Sequence, residues 1–366
     1  MIIRQAVLAR HPGVTSRVQA TCFAIRQLRP EPGENCSTSP EPLAAGQIKV
    51  DTLVLSVDPY MRCRLDPDHP QLGEYIQSIE LGAVVDGGGV GRVTESNHAG
   101  FTPGQVVVVP FTGYPWQDKA VVLDPDDPAL ALQLCPDYLM ERPSLLLGAL
   151  GMPGMTSWFC MLHAGRPQKP DTVVVSGAAG ACGSLAGQLA KVHSGARNVV
   201  GICGSEDKGR WLVEEMGFDA AINYKDDAFT FKLEKACPDG VDVYMDNVGG
   251  RVSDAVLGMV NEGARIPICG QISQYDSDLP YSHLVSPEGL SPELRDLVYT
   301  KRKCIRERFL VLDWQEQWDD ALKELGGLIL AGKIHAPEAI THEFDPGQAF
   351  VDMMAGGNRG KALVFC

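Results

Sequence analysis

The segment with the clearest chemical meaning is Val175-Ser176-Gly177-Ala178-Ala179-Gly180-Ala181-Cys182-Gly183. A β-branched run, Thr172–Ser176, leads into it, and a stretch with helical character runs on from about Cys182 to Ser194. Small residues at such a junction let the backbone approach a pyrophosphate, while the helix start supplies N–H donors and the positive end of a dipole. The spacing is a variant of G-x-G-x-x-G, with Ala178 beside the first glycine and Gly180 and Gly183 three apart. Alone, it describes a tight strand-to-helix turn. At the first strand of an alternating strand–helix series, it predicts a dinucleotide site.

The next strand bears on which dinucleotide. About twenty residues beyond such a turn, folds selective for NADH place a carboxylate on the adenosine ribose. Here the strand ends Gly201-Ile202-Cys203-Gly204-Ser205, with no carboxylate at its tip. Lys208 follows, and Tyr224 ends the strand after that, where its hydroxyl can face the same phosphate. This favours NADPH over NADH. Glu206 and Asp207 stand beside Lys208 and weigh against an anion site, and a surface lysine is as often a solvated charge.

Other chemistries lack their residues. The chain has no C-x-x-C pair, no H-E-x-x-H and no cluster of four cysteines, so no metal site is expected. Of the eight histidines the closest pair is His335 and His342, both read as surface residues. Gly183-Ser184-Leu185-Ala186-Gly187 has its serine directly after glycine, which is not the spacing of a nucleophile elbow. Cys182, Cys203 and Cys269 read as small buried fillers.

The elements that must position these residues fall into two rhythms, and 366 residues suit two domains. The first third carries short β-type runs, Gln47–Val50, Thr52–Val57 and Gly104–Val109, broken by turns such as Asp86-Gly87-Gly88-Gly89 and Thr102-Pro103-Gly104. That predicts a barrel-like β domain. Residues Pro30–Gly46 read as an exposed loop. The middle third alternates: strands at Thr172–Ser176, Asn198–Cys203, Ala220–Tyr224, Val241–Asp246 and Ala264–Cys269, helices at Cys182–Ser194, Glu206–Met216, Asp227–Ala236 and Val252–Val260. Such alternation implies a parallel sheet with helical crossovers. Beyond Arg308 the pattern is mixed, with a helix at Trp314–Leu330 and a closing strand at Ala362–Phe365. A net charge of −14 disfavours nucleic acid and anionic membranes as partners, although a local basic patch can still hold one anionic cofactor. The eleven scattered cysteines, the absence of a long apolar start and the lack of any bilayer-length apolar run point to free thiols in the cytoplasm.

Taken together, the chain resembles the zinc-independent medium-chain dehydrogenase/reductases of the prostaglandin reductase and leukotriene-dehydrogenase type. The resemblance rests on Leu55-Ser56-Val57-Asp58-Pro59-Tyr60-Met61-Arg62-Cys63-Arg64, Val84–Gly89, Gly151-Met152-Pro153-Gly154-Met155-Thr156-Ser157 and the glycine turn. It continues through Ala221–Lys225, Asp246-Asn247-Val248-Gly249-Gly250, Cys269–Tyr275, Arg306–Leu312 and Gly356–Lys361. It implies an α/β fold in which a Rossmann doubly wound parallel sheet, residues 141–311, is inserted in a GroES-like β-barrel catalytic domain, residues 1–140 plus 312–366. It also implies that Ala181, Cys182, Gly183 and Ser184 cradle the pyrophosphate, and that Lys208 and Tyr224 contact the 2′-phosphate of NADPH. Asn247 and Asn358 are implied at the nicotinamide end. Cys269, Gly270, Gln271, Ile272, Ser273, Gln274 and Tyr275 are implied along the cofactor groove, with Tyr275 toward the substrate carbonyl.

The same resemblance puts Tyr60, Phe309, Leu310 and Val311 in an enone pocket walled by Phe111, Tyr114 and Trp116, on a loop longer than the family's. Pro30–Gly46 and Ser282–Arg302 also depart from the family pattern. On residue type alone the structural reading is favoured for Tyr60, as a turn residue after Pro59, and for Phe309 and Leu310, as strand core, whereas Asn247 reads equally as a cap of the next helix and Tyr275 as a surface loop residue. The implied activity is NADPH-dependent reduction of the carbon–carbon double bond of a small lipid enone by a monomer or homodimer. A quinone reductase or a non-catalytic NADPH-binding redox sensor are the alternatives.

Overall fold

The computed structural model describes residues 2–28, 43–72 and 77–366. Most of the Pro30–Gly46 loop therefore lies outside the described residues. In chain order the strands are β1 (Ile3–Leu8), β2 (Phe23–Leu28), β3 (Ile48–Ser56), β4 (Asp86–Ser96), β5 (Val106–Pro115), β6 (Val121–Leu123), β7 (Gln133–Leu134), β8 (Thr172–Ser176), β9 (Asn198–Cys203), β10 (Ala220–Asn223), β11 (Val241–Met245), β12 (Val260–Ile268), β13 (Ile305–Arg308), β14 (Glu338–Thr341) and β15 (Lys361–Phe365). The helices are α1 (Met61–Arg64), α2 (Met152–Phe159), α3 (Ala181–Val192), α4 (Glu206–Glu214), α5 (Phe229–Ala236), α6 (Gly250–Leu257), α7 (Tyr281–Val285), α8 (Pro292–Arg295), α9 (Trp318–Leu330) and α10 (Pro346–Met354).

The first compact unit comprises Met1–Gly151, Glu338–Gly357 and Ala362–Cys366. Among the described residues its main sheet runs β14-β15-β3-β4-β5-β7, with β6 pairing to β3, and β1 and β2 form a separate hairpin. The pairings β3–β4 and β4–β5 are antiparallel, which gives the expected barrel-like architecture. The two early runs Gln47–Val50 and Thr52–Val57 are one strand. Asp51 does not interrupt it, because its carboxylate accepts the Ala120 amide at 3.0 Å. Gly89 and Gly91 on β4 are dictated by Tyr114 on β5: a Cβ would come 2.3 Å from its ring at Gly89 and 2.5 Å from its hydroxyl at Gly91. Tyr114, Trp116, Met61 and Phe350 lie in this unit's apolar core.

The second unit comprises Met152–Pro337 and Asn358–Lys361. Its six strands run β10-β9-β8-β11-β12-β13 among the described residues, and each registered pair is parallel. This is the doubly wound order, with its switch point between β8 and β11. The central strands are largely buried on both faces, which is why they read as mainly apolar runs in the sequence, with Asp242 on β11 the charged exception. The division differs from the expected boundaries at 141 and 312. Helix α9 belongs to the nucleotide unit, where Trp314 just before it stacks on Phe159 of α2 with ring centroids 5.5 Å apart. The sequence also left Ser282–Arg302 without assigned elements, and α7, α8 and a widened helical turn at Asp296–Lys301 occupy it. Among the described residues no helix is long and apolar enough to cross a membrane.

Candidate functional site

At the C-terminal end of β8 the chain turns through Gly177 and enters α3 at Ala181. Gly180 N donates to Gly177 O at 3.0 Å, and Ser184 N donates to Gly180 O at 3.1 Å. The amides of Ala181, Cys182 and Gly183 thus precede the first intrahelical bond, and no side chain caps this end. Glycine is required at 183, where a Cβ would come 2.4 Å from Gly177 O and 2.7 Å from Ala178 Cα. A bare, uncapped helix start with its backbone drawn close is the arrangement a pyrophosphate needs, so the residues present fit a dinucleotide. Two details differ from expectation. Ser184 is fully buried and its hydroxyl turns back to Ala181 O at 3.5 Å, so it offers no side-chain donor. Cys182 and Cys269 are half-buried rather than buried, whereas Cys203 is buried.

The tip of β9 carries the second part of the site. Ser205 caps α4 by accepting the Lys208 amide at 3.3 Å. Lys208 is half-buried, and burial, more than its cationic neighbours Arg359 and Lys225, pushes its ammonium below the usual lysine range. Tyr224 borders Gly204: a Cβ there would lie 3.5 Å from its hydroxyl. Asp207, which the sequence set against an anion site, turns its carboxylate onto Arg210.

The third part is built on Asp246, a fully buried carboxylate at the end of β11. Its Oδ1 accepts from Tyr244 Oη at 2.9 Å and from the amides of Val248 at 3.1 Å and Gly249 at 2.9 Å, and its Oδ2 from Gln271 Nε2 at 3.2 Å. Its main-chain carbonyl takes the amides of Cys269 and Gly270 at 2.8 and 3.0 Å. One buried anion therefore ties the Asn247–Gly250 turn to the Cys269–Tyr275 segment. Asn247 sits between them: its amide donates to Ser176 Oγ at 2.9 Å and its Nδ2 to Ser176 O at 2.7 Å. It does not cap α6, whose N-cap is Gly249.

Ile272 N and Ser273 N donate to the carbonyls of Asn247 and Val248 at 3.3 and 3.0 Å. A single 3₁₀ turn, Ile272–Gln274, then delivers Tyr275. Tyr275 is half-buried, and its hydroxyl folds back so that a Cβ on Gly270 would lie 3.5 Å from it and 3.3 Å from Asn247 O. Phe309 N donates to Ile268 O at 2.9 Å, so Phe309, Leu310 and Val311 continue past the C-terminal ends of β12 and β13. Phe309 and Val311 are buried and Leu310 is half-buried. Asn358 closes the set on a segment held to the glycine turn: Gly360 N donates to Ala179 O at 2.8 Å, and Asn358 Nδ2 to Gly360 O at 2.7 Å.

The remaining expected residues belong to the first unit. Tyr60 and Phe111 pack with ring centroids 4.6 Å apart, and Tyr60 Oη donates to Phe111 O at 2.8 Å. Burial pushes the Tyr60 hydroxyl well above the ordinary tyrosine range, so it stays a donor at neutral pH. Phe111–Pro115 is strand rather than loop. Tyr114 and Trp116 do not wall a ligand surface here: both are fully buried, and Tyr114 Oη shares a 3.0 Å hydrogen bond with Thr52 Oγ1. Ser176 and Asp246, which organise the site, were not singled out from the sequence; the signal available was a carboxylate at the end of a strand, directly before Asn247.

The arrangement has counterparts among known proteins. Residues 29–129 match the family described as N-terminal domain of oxidoreductase, and residues 181–326 that described as zinc-binding dehydrogenase. Among the described residues, no group of three or more His, Cys, Asp or Glu is placed to hold a metal ion. The chain is 38% identical over 322 residues to the NADPH-dependent curcumin reductase of Escherichia coli, covering 87% of each. It is 36% identical over 326 residues to prostaglandin reductase 1 of Bos taurus, covering 88% of this chain and 90% of that one. The crystal structure of CurA in complex with NADPH from Vibrio vulnificus superposes with a TM-score of 0.82 at 33% identity, covering 99% of this chain and 98% of that one. With a doubly wound nucleotide unit, a barrel-like companion and relatives of this similarity along nearly its whole length, the chain belongs to the medium-chain dehydrogenase/reductase family of oxidoreductases.

Proposed function

We propose that the chain is an NADPH-dependent reductase of the carbon–carbon double bond of α,β-unsaturated ketones, acting on the 13,14 double bond of 15-keto prostaglandins as a 15-oxoprostaglandin 13-reductase. The observation that carries the reading is the placement of the Tyr275 hydroxyl beside Gly270 and the Asn247 turn, where the family resemblance puts the nicotinamide. The name of the NADPH-dependent curcumin reductase supports reduction by NADPH as the chemistry, and that of prostaglandin reductase 1 supports reduction of a prostaglandin.

When bound, the reduced nicotinamide supplies a hydride. The protein's own residues prepare for the charge that follows. Ala181–Gly183 present backbone donors to the pyrophosphate, Lys208 and Tyr224 meet the 2′-phosphate, and Asn247 and Asn358 orient the nicotinamide end. Reduction at the β-carbon of an enone drives negative charge onto the carbonyl oxygen, giving an enolate. The Tyr275 hydroxyl donates to that oxygen, a bond that strengthens as charge develops and stabilises the transition state by about 3–4 kcal/mol. Solvent protonates the α-carbon. Phe309, Leu310 and Val311 give the substrate an apolar contact. We further place the enzyme in the cytoplasm, in keeping with the free thiols of its described cysteines, acting as a monomer or homodimer.

The test is NADPH consumption against a 15-keto prostaglandin, a simple enone and a quinone. Both enones are expected to turn over, the prostaglandin with the highest kcat/KM. Turnover of quinone alone would make the protein a quinone reductase, and no turnover a binding protein. Tyr275→Phe is expected to lower kcat and kcat/KM together, on the order of 10²-fold, with cofactor affinity kept. A rise in KM at constant kcat would show that Tyr275 holds only the ground-state ketone.

A further inference from the structure

The tip of β9 is bordered by three cations from separate stretches of chain: Lys208 in the first turn of α4, Lys225 after β10, and Arg359 just before β15. The chain carries a net charge of −14, so such a gathering is not what its average composition would produce. Lys225 Nζ lies 5.8 Å from the centroid of the Tyr224 ring. A Cβ on Gly204 would lie 3.5 Å from Tyr224 Oη and 3.7 Å from Lys225 Cε. A hydroxyl and an ammonium-bearing side chain thus converge on a point of the backbone that carries no side chain.

Arg359 reaches the same helix from the far end of the sequence. Its Nη2 donates to Asp207 O at 3.4 Å, and its guanidinium carbon lies 5.9 Å from the centroid of the Trp211 ring. Asp207 and Trp211 flank Lys208 on α4, so Arg359 is anchored on both sides of that lysine. The Asp207 carboxylate, the nearest acid by sequence, is occupied by Arg210. Lys208 feels both other cations. Like charges held this close repel, and a dianionic phosphate among them replaces that repulsion with attraction.

We propose that Arg359 and Lys225 are specificity-determining residues that complete, with Lys208 and Tyr224, a clamp for the adenosine 2′-phosphate. The inference rests on the reading that Lys208 and Tyr224 meet that phosphate. Arg359 is the part of the clamp with a planar fork, suited to two phosphate oxygens at once, and its contact with Trp211 reduces the side-chain freedom lost on binding. Lys225 contributes a point charge. The glycine-turn contact of Gly360 fixes the segment that carries Arg359, so the clamp and the pyrophosphate cradle are held by one stretch of chain.

Binding alone tests this. Calorimetry on the full chain gives Kd for NADPH and NADH, and for 2′,5′-ADP and 5′-AMP, in the wild type and in Lys208→Ala, Lys225→Ala, Arg359→Ala and Arg359→Lys. Both Lys225 and Arg359 are exposed, so their variants are expected to fold, and NADH affinity reports whether they have. Lys225→Ala and Arg359→Ala should each weaken NADPH and 2′,5′-ADP by about three- to tenfold while leaving NADH and 5′-AMP within about twofold. Arg359→Lys should recover part of the loss, and raised salt should shrink every difference. If Lys208→Ala collapses the preference for NADPH and the other two alanine variants leave it intact, the inference fails and the underlying reading stands. If none of the three changes the preference, both fail. Equal losses of NADPH and NADH would make Arg359 a structural tether.

Discussion

Gly183→Ala separates the two roles that a glycine at the start of α3 can play. The added methyl would stand 2.4 Å from Gly177 O and 2.7 Å from Ala178 Cα, both backbone atoms. Ordinary contact begins at 3.4 Å, so relief takes a displacement of 3.4 − 2.4 = 1.0 Å between the helix start and the turn. No rotamer change supplies this; α3 has to move away from the end of β8. The cost to folding is that of an overpacked site, about 1–3 kcal/mol. The same displacement carries the amides of Ala181, Cys182 and Gly183 with it, lengthening whatever bonds they make to a pyrophosphate. NADPH and NADH share that pyrophosphate, so both should lose affinity by about tenfold or more, with their ratio unchanged. Urea denaturation and calorimetric Kd values on the same preparation give both quantities. Lowered stability with intact cofactor affinity would refute the reasoning, because it would mean that these amides do not hold the pyrophosphate. A change in the NADPH-to-NADH ratio would refute it as well, by tying Gly183 to the adenosine end.

Two other substitutions probe the supports of the site. Asp246→Asn leaves one oxygen and introduces two N–H donors where the carboxylate accepted from two backbone amides, Tyr244 and Gln271; it should cost about 2–3 kcal/mol of stability and loosen the Tyr275 segment, read as a fall in kcat larger than the change in NADPH affinity. An unchanged denaturation midpoint would show that the buried charge does not organise this region. Tyr60→Phe keeps the 4.6 Å ring contact with Phe111 and removes the 2.8 Å bond to its carbonyl; stability should drop by about 0.5–1.5 kcal/mol with KM nearly constant, since that hydroxyl is already engaged. A large rise in KM alone would return Tyr60 to direct substrate binding.

What the sequence disclosed follows from how local the determining forces are. Strands β8 and β9 were legible to the residue, because strands buried on both faces need an apolar centre, Val173–Val175 and Val199–Ile202, and glycine turns end them. The start of β12 was not: Asn261, Glu262 and Gly263 are polar or unbranched and read as loop, yet Val241 pairs across to Val260 and draws them into the sheet. In the first unit, Tyr114 looked like a ligand-facing aromatic. Its cavity is made by glycines on a neighbouring strand, information that no window around Tyr114 contains. The same holds for Arg359, whose partner Asp207 lies 152 positions away. The glycine turn, Lys208, Tyr224 and the asparagines were visible as motif or resemblance, whereas Asp246 and Ser176 act through buried hydrogen bonds that leave little trace in residue type.

The nucleotide unit is discontinuous: it consists of Met152–Pro337 and then Asn358–Lys361, with Glu338–Gly357 between them assigned to the other unit. This sets a limit on modular exchange. A fragment cut at its obvious ends, after Gly151 and before Glu338, would carry the whole six-stranded sheet and would look complete. It would lack Asn358, Arg359 and the glycine that bonds to Ala179. Recombination between relatives at those ends would likewise pair one parent's glycine turn with the other parent's closing segment. A chimera of that kind can fold and still have lost its discrimination between cofactors, so the four-residue segment has to travel with the sheet it serves.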